Sequence, residues 1–420
     1  MKEIINSFSK IIRNNKKIIE NYFFMTLLLV LNSYFTLLIY PYLIKALGKE
    51  SYGIYIYGFT IASFFTTFVS FGFDMTGVRS ISQFPHSIRY KSIIFSRIFT
   101  AKLYLELISV CLFSILVYII PLWRDNSSVY WFCFSNTLVN IFLPIWYFQG
   151  IQKMKIITII QLILKIVSLP FIFSYVKESS DILIYTIISS TVSIIGSFIS
   201  FVYIIKVDRV KLSIVPIKQV VESFLQASYF FYSNLGNTIK LQSLNLIIGS
   251  HFSMSDLAIY DLAQKIISIP TIILMNVNRA IFPKIMRDTF EIDKIVKLLK
   301  YENFIGLIII MFIIIFGKAF VLFLGGEEML LAYPITIILS FTVYALLITT
   351  CHLDLIITPL KLDSYIFKNQ IIAVTSLFFI VFVGLFFTEN IFIIPIALVI
   401  SAFSEIVYQK YIFYKRKIFN

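Results

Sequence analysis

The sequence predicts an all-α integral membrane protein with about 12 transmembrane helices. Three observations support this fold class. Hydrophobic residues make up 59% of the 420-residue chain and charged residues only 14%, whereas a soluble domain carries roughly 25% charge. Apolar runs long enough to cross a hydrocarbon core of about 30 Å follow one another along the chain. Basic residues gather in alternate connections between these runs.

The predicted spans fall into two sets of six. The first set lies near Tyr22–Ile44, Tyr52–Phe73, Leu103–Trp123, Val129–Phe148, Ile156–Tyr175 and Ile182–Ile205. The second set lies near Ala227–Ile248, Leu257–Phe282, Phe304–Leu324, Leu330–Leu355, Gln370–Phe387 and Ile391–Tyr408. The first apolar run is too long for the core of a signal peptide, so we expect it to be retained as an uncleaved span.

The distribution of Lys and Arg predicts the orientation, because cytoplasmic loops carry an excess of these residues. All but four of the Lys and Arg residues in loops lie on the side that holds both termini. The four exceptions are Lys45, Lys49, Arg124 and Lys177. We therefore expect both termini to be cytoplasmic, which agrees with an even number of spans.

Six spans, a basic connection and six further spans indicate an internal duplication. Ser51–Tyr55 resembles Asp256–Tyr260, and the same offset places Arg79 over Lys284. Two such halves enter the membrane from the same side and enclose a cleft suited to alternating access. The predicted domains are an N-terminal six-helix lobe over residues 1–205, a basic cytoplasmic linker over 206–225 and a C-terminal six-helix lobe over 226–420. The linker is amphipathic, so it is either a surface helix or a solvated connection.

Basic residues inside predicted spans are candidate substrate ligands, because a charge at mid-membrane costs at least ~2.5 kcal/mol. Lys165 and Lys240 are central in the fifth and seventh spans. Lys265 follows Asp261 by four residues in the eighth span, so these two residues either neutralise each other or face a cavity. Arg279 lies near the cytoplasmic end of the same span. A net-basic interior suits an anionic, phosphate-bearing cargo.

Acidic residues inside predicted spans are candidates for ion coupling. Asp354 and Glu405 lack an obvious partner nearby in sequence, and Asp261 joins them if it is not neutralised by Lys265. Such carboxylates either bind H⁺ or Na⁺ as the coupling ion or form buried structural ion pairs.

The sequence carries no pattern for enzymatic or metal chemistry. The three cysteines lie in apolar runs, the three histidines are scattered, and no P-loop is present. We therefore predict no catalytic residue, no metal site and no cofactor beyond the coupling ion. The net charge of +14 fits basic cytoplasmic loops beside anionic lipids better than nucleic acid, since no soluble basic domain is present.

Three segments resemble bacterial O-antigen and polysaccharide flippases, a branch of the multidrug/oligosaccharidyl-lipid/polysaccharide exporter superfamily. Pro41–Gly53 resembles the end of their first span and the outer turn that follows it, Phe71–Gln83 their second-span exit and Pro144–Gly150 their fourth-span exit. The span pattern and the basic linker extend this resemblance over essentially the whole chain. Two motif positions, Asp74 and Arg79, become candidate functional residues through the resemblance, as an ion-coupling residue and a substrate ligand respectively.

The resemblance implies a V-shaped, two-lobe transporter in the bacterial inner membrane. Its expected cargo is an undecaprenyl-pyrophosphate-linked oligosaccharide, moved from the cytoplasmic to the outer leaflet with coupling to an ion gradient. Expected partners are membrane lipids, a polysaccharide polymerase and a chain-length regulator. The alternatives are a multidrug or cation antiporter of the same fold, a membrane enzyme of polysaccharide assembly and a peptidoglycan-precursor flippase. The last two would need a large outer loop and two further spans, respectively.

Overall fold

A computed structural model describes residues 16–287, 292–360 and 362–416. Within these ranges the chain is helical and forms no strand. By its internal contacts it divides into two compact units. Unit 1 comprises Met1–Ile39 and Ala46–Leu246, and unit 2 comprises Tyr40–Lys45 and Ile247–Asn420.

The helices from the N-terminus to the linker belong mainly to unit 1. They are α1 (Lys16–Ser70), α2 (Phe73–Gln83), α3 (Ile88–Ile119), α4 (Pro121–Asp125), α5 (Ser127–Phe134), α6 (Thr137–Phe142), α7 (Ile145–Gly150), α8 (Met154–Tyr175) and α9 (Ile182–Lys206). The remaining helices are α10 (Ile217–His251), α11 (Met254–Arg287), α12 (Ile292–Gly325), α13 (Ala332–His352), α14 (Asp363–Phe387) and α15 (Ile393–Lys415). A π-helical turn, Leu353–Ile357, extends α13.

Helix α1 contains both of the first two predicted spans. The two halves meet at a kink where Gly48 has φ 72° and ψ 168°. Residues with a Cβ rarely adopt this backbone conformation, whereas glycine does so without steric cost. The predicted outer turn between these spans is therefore a kink at a single glycine.

The fourth predicted span is broken into three short helices, α5, α6 and α7. The second break falls at Leu143 and Pro144, and proline cannot donate the next helical hydrogen bond. Non-helical backbone inside a membrane must find other partners. Here Asn140 meets part of that need, because its amide donates to the Thr66 carbonyl at 3.2 Å and its carbonyl accepts from the Lys102 ammonium at 3.1 Å.

Aromatic side chains pack the core of unit 1 where α2, α3 and α7 meet. The Phe95 ring contacts those of Trp146 and Tyr147, at centroid distances of 5.9 and 5.8 Å. A Cβ at Gly77 of α2 would lie 2.5 Å from Trp146 Cε3, so only glycine allows α2 to approach the indole this closely. This packing fixes the start of α2, where Asp74 lies.

The central helix of unit 2 is α13, which packs against α11, α12 and α15. A second helix pair, α14 and α15, completes this side of the unit. At one end of α13 a buried apolar cluster joins Cys351 and Leu355 to Ile295 of α12 and Phe413 of α15.

The predicted all-α membrane fold is confirmed. In the described part of the chain, nine helical segments are long and apolar enough to cross a membrane, and the first of them, Phe23–Ser70, contains two predicted spans. Helices α10 and α11 coincide with the seventh and eighth predicted spans but are not among the nine. The count of about 12 crossings remains a prediction.

The linker has a different structure from a separate surface helix. Residues 207–216 are irregular, and α10 then runs without a break from Ile217 into the seventh predicted span. Most of α10 belongs to unit 1, although the sequence places it in the C-terminal lobe. The division into units rests on contacts and does not show whether the two halves of the chain repeat one structure. The two six-helix lobes therefore remain a prediction.

Candidate functional site

An ion pair with one buried member lies where α2 and α3 meet in unit 1. The ammonium of Lys102 lies 3.0 Å from Asp74 Oδ1, and Ser70 donates to Asp74 Oδ2 at 2.8 Å. The Lys102 side chain is only 2% exposed, whereas that of Asp74 is 50% exposed. The pair therefore joins a residue shielded from solvent to one that ions and water can reach.

Glu106 lies one helical turn beyond Lys102 on α3 and is 5% exposed. Its Oε1 accepts a hydrogen bond from Thr137 Oγ1 at 2.6 Å. Its Oε2 is buried and has no hydrogen-bond partner among the described residues. A carboxylate buried in this way is costly unless it binds a proton or a cation. Asp74, Lys102, Glu106, Thr137 and Asn140 are called the α3 polar cluster below.

The α3 polar cluster contains two acidic residues, Asp74 of α2 and Glu106 of α3, and one lysine, Lys102 of α3. Lys102 and Glu106 are four residues apart and therefore lie on the same face of α3. In the structure the Lys102 ammonium bonds Asp74 and the Asn140 carbonyl. A change in the charge of Glu106 would alter which carboxyl the ammonium prefers.

Lys165 lies at the middle of α8 and is half-buried. Its ammonium lies 4.9 Å from the centroid of the Phe35 ring, and no carboxylate of the described residues pairs with it. One turn earlier, Gln161 Nε2 is buried and lacks a hydrogen-bond partner among the described residues. This face of α8 therefore presents a cation and a free donor inside a membrane-spanning segment.

Lys240 is half-buried on α10, a helix rich in polar side chains. Nearby on this helix, Thr238 shares a hydrogen bond of 2.9 Å with Thr67 of α1. The polar face of α10 therefore packs against α1 within unit 1.

Lys265 and Asp261 form a salt bridge on α11 in unit 2. The ammonium of Lys265 also lies 5.2 Å from the centroid of the Tyr40 ring, and Tyr40 donates to the Ala258 carbonyl at 3.3 Å. The sequence allowed Lys265 and Asp261 either to neutralise each other or to face a cavity, and in the structure they pair with each other. Their roles in substrate and ion binding remain predictions.

The other predicted acidic residues lie in unit 2. Glu405 of α15 is buried and accepts from Asn369 Nδ2 at 2.7 Å. Asp354 is half-buried in the π-helical turn. Nearby in the fold, buried His352 shares a hydrogen bond of 2.8 Å with Gln409 Oε1. No group of three or more His, Cys, Asp or Glu residues in the described ranges is placed to hold a metal ion.

Two predicted substrate ligands lie apart from these clusters. Arg79 is exposed near the end of α2, on the same helix as Asp74. Arg279 belongs to α11, but its side chain lies outside the part of the structure that is described.

Sequence reasoning missed several members of the α3 polar cluster. Lys102 directly precedes the third predicted span and Glu106 lies within it, and neither is among the site residues that the sequence predicts. The spacing of four residues between them was the available signal. Thr137 and Asn140 carried no signal, because their roles depend on the break in the fourth span.

Burial and position along the spans give different balances of charge, and the net-basic interior remains a prediction. Among the described residues, buried carboxylates outnumber buried lysines. The buried carboxylates are Glu106, Asp208, Asp261, Glu302 and Glu405, and the buried lysines are Lys91 and Lys102. A net-basic interior was predicted from position along the spans, but side chains at similar depth differ in how far they are shielded by neighbouring helices.

Solved structures identify the class of fold. A structure titled as the inward-facing conformation of a multidrug resistance MATE family transporter of the MOP superfamily matches with a TM-score of 0.67 and 13% identity, covering 90% of this chain and 93% of that chain. An outward-facing MATE structure matches with a TM-score of 0.57 and 15% identity, covering 94% of each chain. The chain is thus a multi-pass, α-helical membrane protein with a MATE-type transporter fold.

A family comparison makes the assignment more specific. The model of a family described as polysaccharide biosynthesis protein matches residues 18–289. This match covers more than half of the chain, and the chain therefore belongs to that family. The resemblance found in the sequence is confirmed.

Two curated relatives carry a more specific name. A protein of Escherichia coli K12 named "Putative O-antigen transporter" is 24% identical over 252 residues, covering 59% of this chain and 60% of that protein. A protein of Shigella dysenteriae with the same name is 23% identical over 261 residues, covering 61% and 64% of the two chains. The matched region spans about three-fifths of the length of these curated relatives.

Proposed function

We propose that the protein is a flippase that moves an undecaprenyl-pyrophosphate-linked oligosaccharide across the bacterial inner membrane by alternating access. The cargo would pass from the cytoplasmic to the outer leaflet and serve O-antigen or related surface-polysaccharide assembly. The observation that carries this proposal is the combination of a polysaccharide biosynthesis family match with a transporter fold. No bond of the cargo needs to be broken, so the proposed protein is not an enzyme.

The electrostatics of α8 support an anionic cargo. Lys165 is a half-buried cation inside a membrane-spanning segment, and an aromatic ring is the contact that the structure gives its ammonium. A cation–π contact supplies only about 0.5–2 kcal/mol, which is less than the cost of a charge at mid-membrane. A passing pyrophosphate would offset that cost with charge-assisted hydrogen bonds. Lys240 is proposed to contribute a second positive charge.

The α3 polar cluster supports coupling to H⁺ or Na⁺. We propose that ion binding at Glu106 neutralises its carboxylate and leaves Lys102 paired with Asp74. Ion release would restore the negative charge on Glu106 and draw the ammonium one turn along α3. Such a switch of one lysine between two carboxyls would link ion occupancy to the packing of α2 against α3.

The proposed function also implies an orientation in the membrane and a set of partners. The basic side of the protein, with both termini, would face the cytoplasm according to the distribution of Lys and Arg. Membrane lipids would surround the bundle, and a polysaccharide polymerase with its chain-length regulator would receive the cargo on the outer face.

Complementation tests the proposed function. The chain is expressed in a strain that lacks its own flippase, and surface polysaccharide is measured for the unaltered protein, Lys165→Ala, Lys240→Ala and the double variant. Lys177→Ala is the matched control, because Lys177 is an exposed lysine of unit 1 outside the helices. We expect the control to restore polysaccharide and the double variant to restore little. Full complementation by the double variant at normal expression would remove the two lysines from the cargo path.

A second candidate function is a multidrug or cation antiporter. The excess of buried carboxylates over buried lysines in the described residues favours it, since carboxylates bind cations. Measuring the sensitivity of the same cells to cationic drugs distinguishes the two functions. Protection from drugs without restored polysaccharide would favour the antiporter, whereas restored polysaccharide without protection would favour the flippase.

A further inference from the structure

A basic cavity lies at one end of unit 1, in segments that the α3 polar cluster does not use. Its volume is about 540 Å³, and its walls are the start of α3, the turn between α7 and α8, and the residues that follow α9. The charged or titratable residues of its lining are His86, Lys91, Lys153, Asp208 and Arg209. A neighbouring cavity of about 630 Å³ shares Ile88 with it and adds Arg89 and Lys211, so the surroundings are basic as well.

Lys91 is the most informative residue of this lining. Its side chain is 7% exposed, and its ammonium lies 6.0 Å from the centroid of the Tyr147 ring. Its ammonium makes no ion pair or hydrogen bond with the described residues, although the Asp208 carboxylate interacts with it electrostatically. Because Lys91 lines the cavity and its ammonium has no acceptor, an anion in the cavity would supply one.

The carboxylate of the lining, Asp208, already accepts hydrogen bonds from two neighbouring side chains. Asp208 Oδ1 accepts from the Lys153 ammonium at 2.7 Å, and Asp208 Oδ2 accepts from the Tyr147 hydroxyl at 3.1 Å. Lys153 is therefore neutralised largely by Asp208. Counting the Lys, Arg and Asp side chains alone, three cations against one carboxylate leave a net charge of about +2 in the lining.

The backbone around the cavity is also shaped for a ligand. Gln152 and Arg209 both line it, and both have positive φ angles, of 57° and 54°. Non-glycine residues in this region cost of order 1–3 kcal/mol and tend to occur at ligand sites. The N-terminus of α3, a helix of 32 residues, lies at the same wall through Ile88. Ser87 caps this terminus by accepting from the Tyr90 N–H, and the helix dipole there still favours an anion.

We propose that this cavity binds a phosphate group, supplied either by the headgroup of an anionic lipid or by a soluble phosphate compound. A phosphate monoester carries a charge of about −1.5 to −2 at neutral pH and three acceptor oxygens, which match the net charge of the lining and its separate donors. The phosphodiester of an anionic lipid headgroup carries less charge and offsets part of the net charge of the lining. Lys91 donates from the buried wall, Arg209 donates from the exposed rim and the α3 N-terminus supplies backbone N–H groups. This site does not depend on the proposed transport function.

Calorimetric titration of the purified full-length chain with inorganic phosphate tests the site in uncharged detergent and phosphate-free buffer. We expect saturable binding that Lys91→Met weakens by roughly tenfold or more, the loss of one charge-assisted hydrogen bond. Lys91→Met fills the same volume with an apolar side chain and should not impair folding. Lys91→Arg should retain binding, and Lys177→Met, which removes the same charge from an exposed position, should behave like the unaltered chain.

A second titration, carried out in lipid, distinguishes the two sources of phosphate. The chain is reconstituted in nanodiscs of phosphatidylcholine alone or with phosphatidylglycerol, and the titration is repeated. Loss of phosphate binding only with phosphatidylglycerol assigns the site to a lipid headgroup, whereas equal binding in both discs assigns it to a soluble phosphate. The proposal is overturned if the unaltered chain and Lys91→Met bind phosphate equally. It is also overturned if neither chain binds phosphate in detergent and both chains bind the same amount of phosphatidylglycerol.

Discussion

Lys102 and Asp74 form an ion pair whose two members differ greatly in exposure. The ammonium of Lys102 is shielded by α2, α3 and the broken fourth span, while half of the Asp74 side chain is accessible. Removing either partner therefore leaves the other in a very different environment.

Asp74→Asn should destabilise the protein more than Lys102→Met. The first substitution removes the carboxylate that pairs with the buried Lys102 ammonium in the structure, at a cost of roughly 3 kcal/mol. The second leaves a carboxylate that is already half-exposed, so its cost should be smaller. Unfolding of the two variants by sodium dodecyl sulfate, followed by circular dichroism, measures the difference. Equal losses would show that Asp74 is not the main stabilising partner of Lys102.

Gly77→Ala should lower the free energy of unfolding by about 1–3 kcal/mol, the usual range for overpacking. The added methyl group would lie 2.5 Å from Trp146 Cε3, so α2 must move away from α7. The same unfolding assay measures the loss. Trp146→Phe in the Gly77→Ala background removes part of the indole and should recover some stability, and a purely additive double variant would contradict this contact.

The linker is held on α3 by a row of hydroxyl groups. Ser92 and Ser96 accept from the backbone N–H groups of Lys211 and Ser213, at 2.9 and 3.1 Å. Thr100 Oγ1 accepts from the Val215 N–H at 3.4 Å. These residues recur every four positions, so they share one face of the helix.

Ser96→Ala should release this part of the linker. The substitution removes the hydrogen bonds of the Ser96 hydroxyl to Lys211 and Ser213 of the linker and should cost at least about 1 kcal/mol, with faster amide hydrogen exchange in residues 208–216. Ser114→Ala is the matched control on the same helix, because the Ser114 hydroxyl bonds the Val110 carbonyl of α3 itself. Exchange that is equally fast in both variants would contradict a role for Ser96 in holding the linker.

The sequence predicts membrane spans well because hydrophobicity acts over about 20 residues at a time. Features that depend on single residues are harder to read. Gly48 turns a predicted loop into a kink through its backbone angles, and the break at Pro144 exposes a carbonyl that Lys102 uses. Glu106 lies inside an apolar span, and the residue that donates a hydrogen bond to its carboxylate, Thr137, belongs to a different helix. Such contacts are long-range and leave little trace in local composition.

The role of Glu106 in ion coupling can be separated from its role in stability. Transport of a fluorescent lipid-diphosphate oligosaccharide is measured in proteoliposomes, with and without an imposed proton or sodium gradient. Glu106→Gln keeps the size and the hydrogen bond to Thr137 but cannot change charge. We expect it to transport at a basal rate that no gradient accelerates. Glu178→Gln, which neutralises an exposed acid of unit 1, should respond to the gradient like the unaltered chain. If Glu106→Gln is accelerated to the same extent, the coupling ion binds elsewhere, and the buried Glu405 of unit 2 becomes the next residue to substitute.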